Sequence, residues 1–424
     1  MAKHHKSGMN LEDVQEINRA LVIRLIRRAK VCARTELAKL TGLKQATITN
    51  IVNDLMEWGL VKETGIIEGR KGRRSIGLTL NTDSYRTMGI RLTRNYFTVG
   101  LFDLFGTPET ILREHVDISE GSSIVLRKII AVSEEVLRAS RQYTVLGIGA
   151  AIPGPYVRSE GRMSLMTEFP GWETISIEKE LASAFPVPVY LEHDAKAGAI
   201  AEWWFSPRRG EHETMIYVAA GQGIGAGIVI DGRLMRGALG IAGEIGHMSI
   251  DFSGPRCACG NNGCLEHYCS SISIVREVTE RLGDHPESPL NVDSSLSSIA
   301  KALHAGDTLA CSAVENAATH LGFGLVSVVN ALNPDIIVIG DEMAQLGDVL
   351  LQTVRRTVQN HVLPSVYRDL RIELSKFETD PVLIGVSTLA VEHILHRPTA
   401  IPRLTNVEAN SSPNGWGNEK AQAL

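Results

Sequence analysis

The sequence has little of what marks membrane-spanning and exported proteins. It contains no run of about 18 apolar residues free of charge or glycine, which argues against a membrane span. The first ten residues, MAKHHKSGMN, carry basic side chains without an apolar stretch, so no export signal is predicted. Cysteine accounts for only 6 of the 424 residues. We expect a cytoplasmic protein, a setting in which disulfides are rare and clustered cysteines more often hold metal.

Charge is distributed unevenly along the chain. A length of 424 residues exceeds one ordinary hydrophobic core, so two or three domains are expected. Residues 1 to 80 contain 15 Lys and Arg against 8 Asp and Glu, a net charge of +7, whereas the remaining 344 residues contain 28 against 40, a net charge of −12. A basic N-terminal part joined to an acidic remainder suggests that the N-terminal part binds a polyanion.

Three helices are predicted in the N-terminal part. The first has apolar residues at helical spacing from Val14 to Leu25, and the second, RTELAKLTGL (34 to 43), has Thr35 as its cap candidate. The third, within KQATITNIVNDLMEWGLV (44 to 61), places Ile48, Val52 and Leu55 on one face. Its opposite face carries side chains that can hydrogen-bond to base edges and phosphates from the major groove of DNA: Lys44, Gln45, Thr47, Thr49, Asn50 and Asn53.

A basic hairpin follows the third helix. Two strand-like runs between residues 60 and 80 flank GRKGRR, whose four cations are Arg70, Lys71, Arg73 and Arg74. These charges repel one another unless a phosphate backbone neutralises them. A polar helix face by itself is most often only solvated. The order of three helices and a basic hairpin nevertheless favours a winged helix-turn-helix DNA-binding domain over residues 1–82.

The chain from about residue 83 has the alternating strand and helix pattern of an α/β domain. Strands are predicted within the segments 86–106, 143–156 and 187–205. In the third segment the strand ends at Glu192-His193-Asp194, and a helix follows it. A carboxylate at the carboxyl end of a strand is a usual ligand contact. The glycines from 221 to 227 allow a ligand to approach the backbone closely, although tight packing of a β-turn explains them equally well.

Three of the six cysteines lie within CACGNNGCLE, residues 257 to 266. Cys257, Cys259 and Cys264, with His247 ten residues before the first, supply one imidazole and three thiolates, the ligand set of a closed tetrahedral zinc site. A closed site leaves no open coordination position, so the predicted Zn²⁺ is structural. Redox-active or accidental clustering of the cysteines is the alternative.

The motif GEIGHMSID…CACGNNGCLE resembles the signature of the ROK family, which contains bacterial sugar kinases and sugar-responsive repressors. The resemblance extends from about residue 12 to about residue 396 and, with the N-terminal domain, is to the branch of xylose and N-acetylglucosamine repressors. It implies an actin-like, ribonuclease-H-like body of two α/β lobes over residues 83–396, with zinc on the cluster named above. It also implies that a sugar is bound in the cleft by Pro153, Gly154, His193, Asp194, Glu244, His247 and Glu266.

The chain departs from the kinase pattern of that family. Kinases of this type carry an Asp-x-Gly-x-Thr turn that meets ATP phosphates, whereas the matching stretch here, GIRLTRNYF, has Arg91, Thr93 and Arg94. The stretch VIGDEM places Asp341 and Glu342 where a glycine helps to seat adenine. We therefore expect no enzyme activity, although Asp194, the position of the catalytic base in the kinases, is retained.

These features predict a sugar-responsive repressor of carbohydrate uptake or catabolism genes. The alternative is a carbohydrate kinase with an appended DNA-binding domain. The predicted partners are operator DNA, a monosaccharide or sugar-derivative effector and a second copy of the chain, in a homodimer or homotetramer. A phosphotransferase-system protein could replace the sugar as effector. The polar segment 397–424, rich in Pro, Asn and Ser, is predicted to be disordered.

Overall fold

A computed structural model describes residues 11–68, 74–157, 162–163, 171–205 and 213–396. The described chain forms two compact units, one reaching to Tyr85 and including the end of the last helix from Glu392, the other spanning Arg86–Val391. Within the described residues, no helix is long and apolar enough to cross a membrane. Arg70, Lys71 and Arg73 of the predicted hairpin, and the segment 397–424, lie outside the described residues.

The first unit consists of three helices and a three-stranded antiparallel sheet of order β1-β3-β2. Its elements are α1 (Leu11–Ala29), β1 (Cys32–Ala33), α2 (Arg34–Thr41), α3 (Gln45–Glu57), β2 (Val61–Glu68) and β3 (Arg74–Leu80). Apolar side chains of all three helices form its core, including Ile26, Leu37 and Leu55, each 0% exposed. Apolar burial at helical spacing thus holds the helices together.

Polar contacts set the ends and the pairing of these helices. The expected cap of α2 at Thr35 is wrong, because the helix begins at Arg34 and the Glu36 carboxylate accepts the Ala33 N–H at 3.0 Å. Gly42 ends α2 with a φ of 69°, a left-handed conformation that favours glycine. Arg19 of α1 donates to Asp54 of α3 at 2.6 Å, joining the first and third helices.

The second unit contains two five-stranded sheets. The first sheet has the order β10-β7-β4-β5-β6, and the second has the order β13-β12-β11-β14-β15. In the first sheet the antiparallel pair β4 and β5 is flanked by the parallel pair β7 and β10. In the second sheet the antiparallel pair β11 and β12 is flanked by the parallel pair β14 and β15. The strands are β4 (Tyr85–Leu92), β5 (Tyr96–Phe102), β6 (Pro108–His115), β7 (Thr144–Ile152), β8 (Tyr156–Val157), β9 (Arg162–Met163), β10 (Val189–His193), β11 (Thr214–Ala220), β12 (Ile224–Ile230), β13 (Arg233–Leu234), β14 (Ile336–Gly340) and β15 (Arg371–Leu374).

Helices cover both sheets, and two of these helices, α6 and α13, cross from one sheet to the other. The helices of this unit are α4 (Ser122–Ala139), α5 (Ile177–Ala184), α6 (Asp194–Phe205), α7 (Glu266–Cys269), α8 (Ser271–Arg281), α9 (Leu296–His304), α10 (Thr308–Leu332), α11 (Gly347–His361), α12 (Pro364–Asp369) and α13 (Pro381–His396). Helix α6 follows β10 of the first sheet and packs on β11 and β12 of the second. Helix α13 follows β15 of the second sheet and meets the first, since a Cβ at Gly149 would lie 1.9 Å from the Val386 carbonyl oxygen. The two crossing helices touch at Gly385, where a Cβ would lie 1.7 Å from the Ala197 oxygen.

Candidate functional site

A cleft in the second unit collects polar side chains from strand ends of both sheets. It lies at the ends of β4, β7, β10, β11 and β14, where each strand gives way to a turn or a helix. The seven residues that the family resemblance implies for sugar contact all line this cleft: Pro153, Gly154, His193, Asp194, Glu244, His247 and Glu266. Arg91, Thr93, Arg94, Asp341 and Glu342 line it as well.

The innermost group of this cleft is an imidazole between two carboxylates. His193 ends β10 and is 5% exposed, and its Nε2 lies 3.3 Å from Asp194 Oδ1 and 3.8 Å from Glu244 Oε1. In the described part of the chain, the buried His193 Nδ1 and Glu244 Oε1 have no hydrogen-bond partner. Unpaired buried polar atoms cost free energy, and both residues line the cleft.

A buried ammonium group lies near the cleft. Lys196 lies on α6, two residues after the lining residue Asp194, and is 1% exposed. Burial lowers the pKa of Lys196 below its usual value, against the opposing effect of the nearby carboxylates, first among them Glu192. Glu192 itself pairs with Arg236 at 3.1 Å. Carboxylates also outnumber arginines among the lining residues, five to two, so the cleft is acidic.

A buried ion-pair cluster closes one side of the cleft. Arg91 of β4 is 4% exposed, and its Nη2 lies 2.7 Å from Asp341 Oδ2 while its Nη1 lies 2.6 Å from Asp380 Oδ2. Burial lowers the pKa of Arg91, but Asp341 and Asp380 more than offset this and hold that pKa well above its ordinary value. The sequence indicated Arg91 and Asp341 separately. It carried no signal for their pairing or for Asp380, which is 289 positions from Arg91.

The same ion pair separates the cleft from a second cavity. Arg91, Gln222, Asp341 and Glu342 line both spaces, and the second is otherwise lined by residues such as Tyr96. Burial raises the pKa of Tyr96 to about 12. Glu342 is held by the Ser271 hydroxyl at 3.2 Å.

The cysteine motif and His247 come together beside the cleft. The ligand atoms of His247, Cys257, Cys259 and Cys264 all lie within 4.8 Å of one another. Cys259 and Cys264 sulfurs are 3.6 Å apart, and Cys257 Sγ is 3.8 Å from His247 Nδ1. A tetrahedral ion bound by sulfur at about 2.3 Å requires ligand separations of about 3.8 Å, so this cluster can hold a metal ion.

The cluster adjoins the acidic wall of the cleft. Glu266 Oε1 lies 3.6 Å from His247 Nδ1, and both residues line the cleft. The loop between them is tightly folded, since a Cβ at Gly263 would lie 1.7 Å from the Asp251 carbonyl oxygen. The position of the Glu266 carboxylate therefore depends on the conformation of the cysteine loop.

The predicted DNA-contacting residues that the structure describes lie on and just before α3 and at the start of β3. Ile48, Ile51, Val52 and Leu55 are buried on one face of this helix. Lys44, Gln45, Asn50 and Asn53 are exposed, and so is Arg74 at the start of β3. Thr47 and Thr49 are half-buried, and the Thr49 hydroxyl donates to the Gln45 carbonyl oxygen at 2.9 Å.

The chain is similar to transcriptional regulators over most of its length. It is 32% identical over 394 residues to the xylose repressor of Caldicellulosiruptor bescii, covering 91% of this chain and 98% of that protein. It is 30% identical over 374 residues to the DNA-binding transcriptional dual regulator NagC of Escherichia coli, covering 87% of this chain and 91% of NagC.

The fold of the chain is similar to those of solved structures of the same kind of protein. The crystal structure of a ROK family transcriptional regulator, described as a homolog of the E. coli MLC protein, matches with a TM-score of 0.77 at 28% identity and covers 92% of this chain and 100% of that one. A ROK family glucokinase from Streptomyces griseus, solved with glucose and AMPPNP, matches with a TM-score of 0.65 at 23% identity, over 72% of this chain and 98% of that chain, a likeness of fold. The model of the ROK family matches residues 87–393. The chain therefore belongs to the ROK family.

Proposed function

We propose that this protein is a sugar-responsive transcriptional repressor of carbohydrate genes. The observation that carries the proposal is a cleft that is lined by imidazole and carboxylate groups on one side and closed by the Arg91 ion pairs on the other. Relatives named as xylose repressor and NagC match over nine-tenths of their own length, including the region that precedes the family domain.

The effector is a sugar bound by the carboxylate and imidazole groups of the cleft. Sugar hydroxyls donate and accept hydrogen bonds, so His193, Asp194 and Glu244 can satisfy several of them at once. A ligand without those hydroxyls leaves buried groups unpaired and is rejected. Because carboxylates outnumber arginines in the lining, an uncharged sugar is favoured over a sugar phosphate.

Phosphoryl transfer is not part of this function. Arg91 stands where the kinases of the family have the Asp of their phosphate turn, and both of its terminal nitrogens are already bound to carboxylates. Asp341 and Glu342 add negative charge beside the same space, which disfavours a polyphosphate. Asp194 then orients a sugar hydroxyl by hydrogen bonding and has no phosphoryl group to direct it toward.

A structural Zn²⁺ is held by His247, Cys257, Cys259 and Cys264. The donor set of three thiolates and one imidazole is that of closed zinc sites, and the sulfur separations agree with it. Zinc bound there supplies no catalysis, and its role is to hold the loop that carries Glu266. His247 binds through Nδ1, which lies 3.8 Å from Cys257 Sγ.

The first unit is a winged helix-turn-helix domain that binds operator DNA. Helix α3 enters the major groove, with Gln45 and Asn50 among the residues that contact bases, while Arg74 and the adjacent cations of the hairpin contact phosphates. A homodimer or homotetramer places two such domains on a palindromic site. Bound sugar lowers operator affinity, and a coupling of about 1 to 3 kcal/mol is sufficient for a regulated response.

A thermal-shift panel of neutral monosaccharides and their phosphates tests the sugar site. We expect one neutral sugar to raise the Tm by several degrees, since ligand at 100 times its Kd contributes about 2.7 kcal/mol. Glu244→Gln should abolish the shift, whereas Glu114→Gln, an exposed carboxylate on β6 outside the cleft, should retain it. Sugar-dependent release of ADP from ATP, or a response to a phosphotransferase-system protein alone, would contradict the proposal.

A further inference from the structure

Asp341 has a backbone conformation that is otherwise almost restricted to glycine. It follows the last residue of β14, and its φ of 67° and ψ of −160° combine a left-handed φ with an extended ψ. A side chain in this region strains the backbone, and such strain persists only where the surroundings compensate for it. A residue with no Cβ would relieve the strain, so the carboxylate at this position has a compensating role.

The carboxylate of Asp341 lies between an arginine and a glycine turn. Its Oδ2 accepts a hydrogen bond from Arg91 Nη2 at 2.7 Å. A Cβ at Gly221, in the turn between β11 and β12, would lie 3.0 Å from the same Oδ2, so a larger residue at position 221 would press on the carboxylate. The Asp341 side chain is 8% exposed. The carboxylate thus fills a space bounded by a guanidinium group and a bare backbone turn.

The charges around this space leave no place for an external anion. Arg91 contributes one positive charge, and Asp341 and Asp380 contribute two negative charges within 2.7 Å of its nitrogens. Glu342 adds a third carboxylate that lines the same two cavities. A second oxyanion would meet a guanidinium group already paired and a local excess of negative charge.

The pairing also joins parts of the fold that are remote in the chain. Arg91 is the penultimate residue of strand β4 in the first sheet, Asp341 follows strand β14 of the second, and Asp380 precedes the crossing helix α13. Asp380 Oδ1 in turn accepts the Val382 N–H at 2.9 Å, which fixes the start of that helix. One guanidinium group therefore links both sheets and the helix that passes between them.

We propose that the Asp341 carboxylate is the resident anion of a site whose cation is Arg91 and which lies against the Gly221 turn, and that this internal ligand holds the two sheets together without any bound phosphate. The inference holds whichever sugar the cleft accepts. Residues 91 and 341 then have a joint role, because loss of Asp341 leaves Arg91 with Asp380 as its one paired carboxylate and loss of Arg91 leaves both buried carboxylates without a cation.

Chemical rescue by acetate tests the proposal, because Asp341→Gly removes the atoms of one acetate ion. We expect the variant, in sugar-free buffer, to unfold about 5 °C below the wild-type chain. Sodium acetate should raise its Tm saturably, whereas sodium chloride at the same ionic strength should not. The wild-type chain and the double variant Arg91→Met with Asp341→Gly should show no acetate-specific rise, the first because the site is filled and the second because its cation is gone.

Equal acetate effects on the single and double variants, or no acetate effect on either, would overturn the proposal. If Asp341→Gly does not remain folded, its refolding yield in acetate against chloride decides the question in the same way. Recovery in acetate that requires Arg91 supports the internal ligand, and recovery in neither salt refutes it. Because no sugar is present, these outcomes are independent of whether the cleft binds one.

Discussion

Single glycines show how closely helix α13 approaches the first sheet. Gly149 lies in β7, and a Cβ there would meet the Val386 carbonyl oxygen at 1.9 Å, a contact with backbone that no side-chain rotation can relieve. Gly283 lies in a short helical turn of the same unit, and a Cβ there would meet nothing within 4 Å. Substitutions at Gly149 and Gly283 therefore test whether helix α13 crosses the first sheet at β7, with Gly283 as the control position.

We expect Gly149→Ala to lower the free energy of unfolding by about 3 kcal/mol or more, because either the strand or the helix must shift. Gly283→Ala should change it by about 0.5 kcal/mol or less. Urea denaturation followed by circular dichroism measures both. Equal effects of the two substitutions would show that the helix crosses the sheet elsewhere.

The sequence identified residues that line the cleft, but it did not indicate which of their side chains form ion pairs. The family signature indicated seven lining residues, and all seven line the cleft. In the sequence, Arg91 and Asp341 were recognised only as residues that replace parts of the nucleotide-binding pattern of the kinases. The structure shows that they face each other, 250 positions apart, and that Asp380 completes the cluster.

At the scale of elements, the loop from His247 to Glu266 joins the cysteine cluster to the cleft. Its cysteine spacing is a local property of the sequence, so the cluster of four ligands could be predicted from it. The distance of 3.6 Å between Glu266 Oε1 and His247 Nδ1 could not be predicted from the sequence, because it depends on how the loop folds back at Gly263.

Removal of the proposed zinc should loosen this loop and lower the Tm of the protein. We expect the purified chain to contain about one zinc per chain by elemental analysis. Cys264→Ala should lose the metal, lower the Tm and weaken the sugar-induced shift, because metal binding contributes to folding free energy. Cys311→Ala, a thiol outside the cluster, should retain all three properties. Full zinc content in Cys264→Ala would contradict the proposed ligand set.

At the scale of the whole molecule, the proposed operator-binding and sugar-binding sites lie in separate compact units of one chain. If the two events are coupled, thermodynamic linkage requires the coupling to be reciprocal. A sugar that weakens operator binding by a given factor must itself be bound more weakly, by the same factor, when operator is present.

We expect this factor to be about 10, equivalent to about 1.4 kcal/mol. Fluorescence anisotropy on DNA selected from a random library, and calorimetric titration of the sugar with and without that DNA, give the two values. Asn50→Ala should weaken DNA binding by about tenfold while leaving the sugar-induced Tm shift unchanged, since Asn50 is exposed on α3. Gln15→Ala, an uncharged and exposed position on α1, is its matched control. A sugar affinity that does not change when that DNA is added would exclude the coupling.

Sequence by itself determined the helices of the first unit, the α/β character of the second and the identity of the cysteine cluster. These are properties of neighbouring residues: apolar spacing, strand and turn composition, and ligand types within a short loop. Only the tertiary structure decided that Arg91 binds Asp341 and Asp380, and that the Asp341 carboxylate fills the space above Gly221. The physical reason is that a buried charge takes whatever counter-charge the strand order and the helix crossing bring within hydrogen-bonding distance, and that proximity has no trace in local sequence.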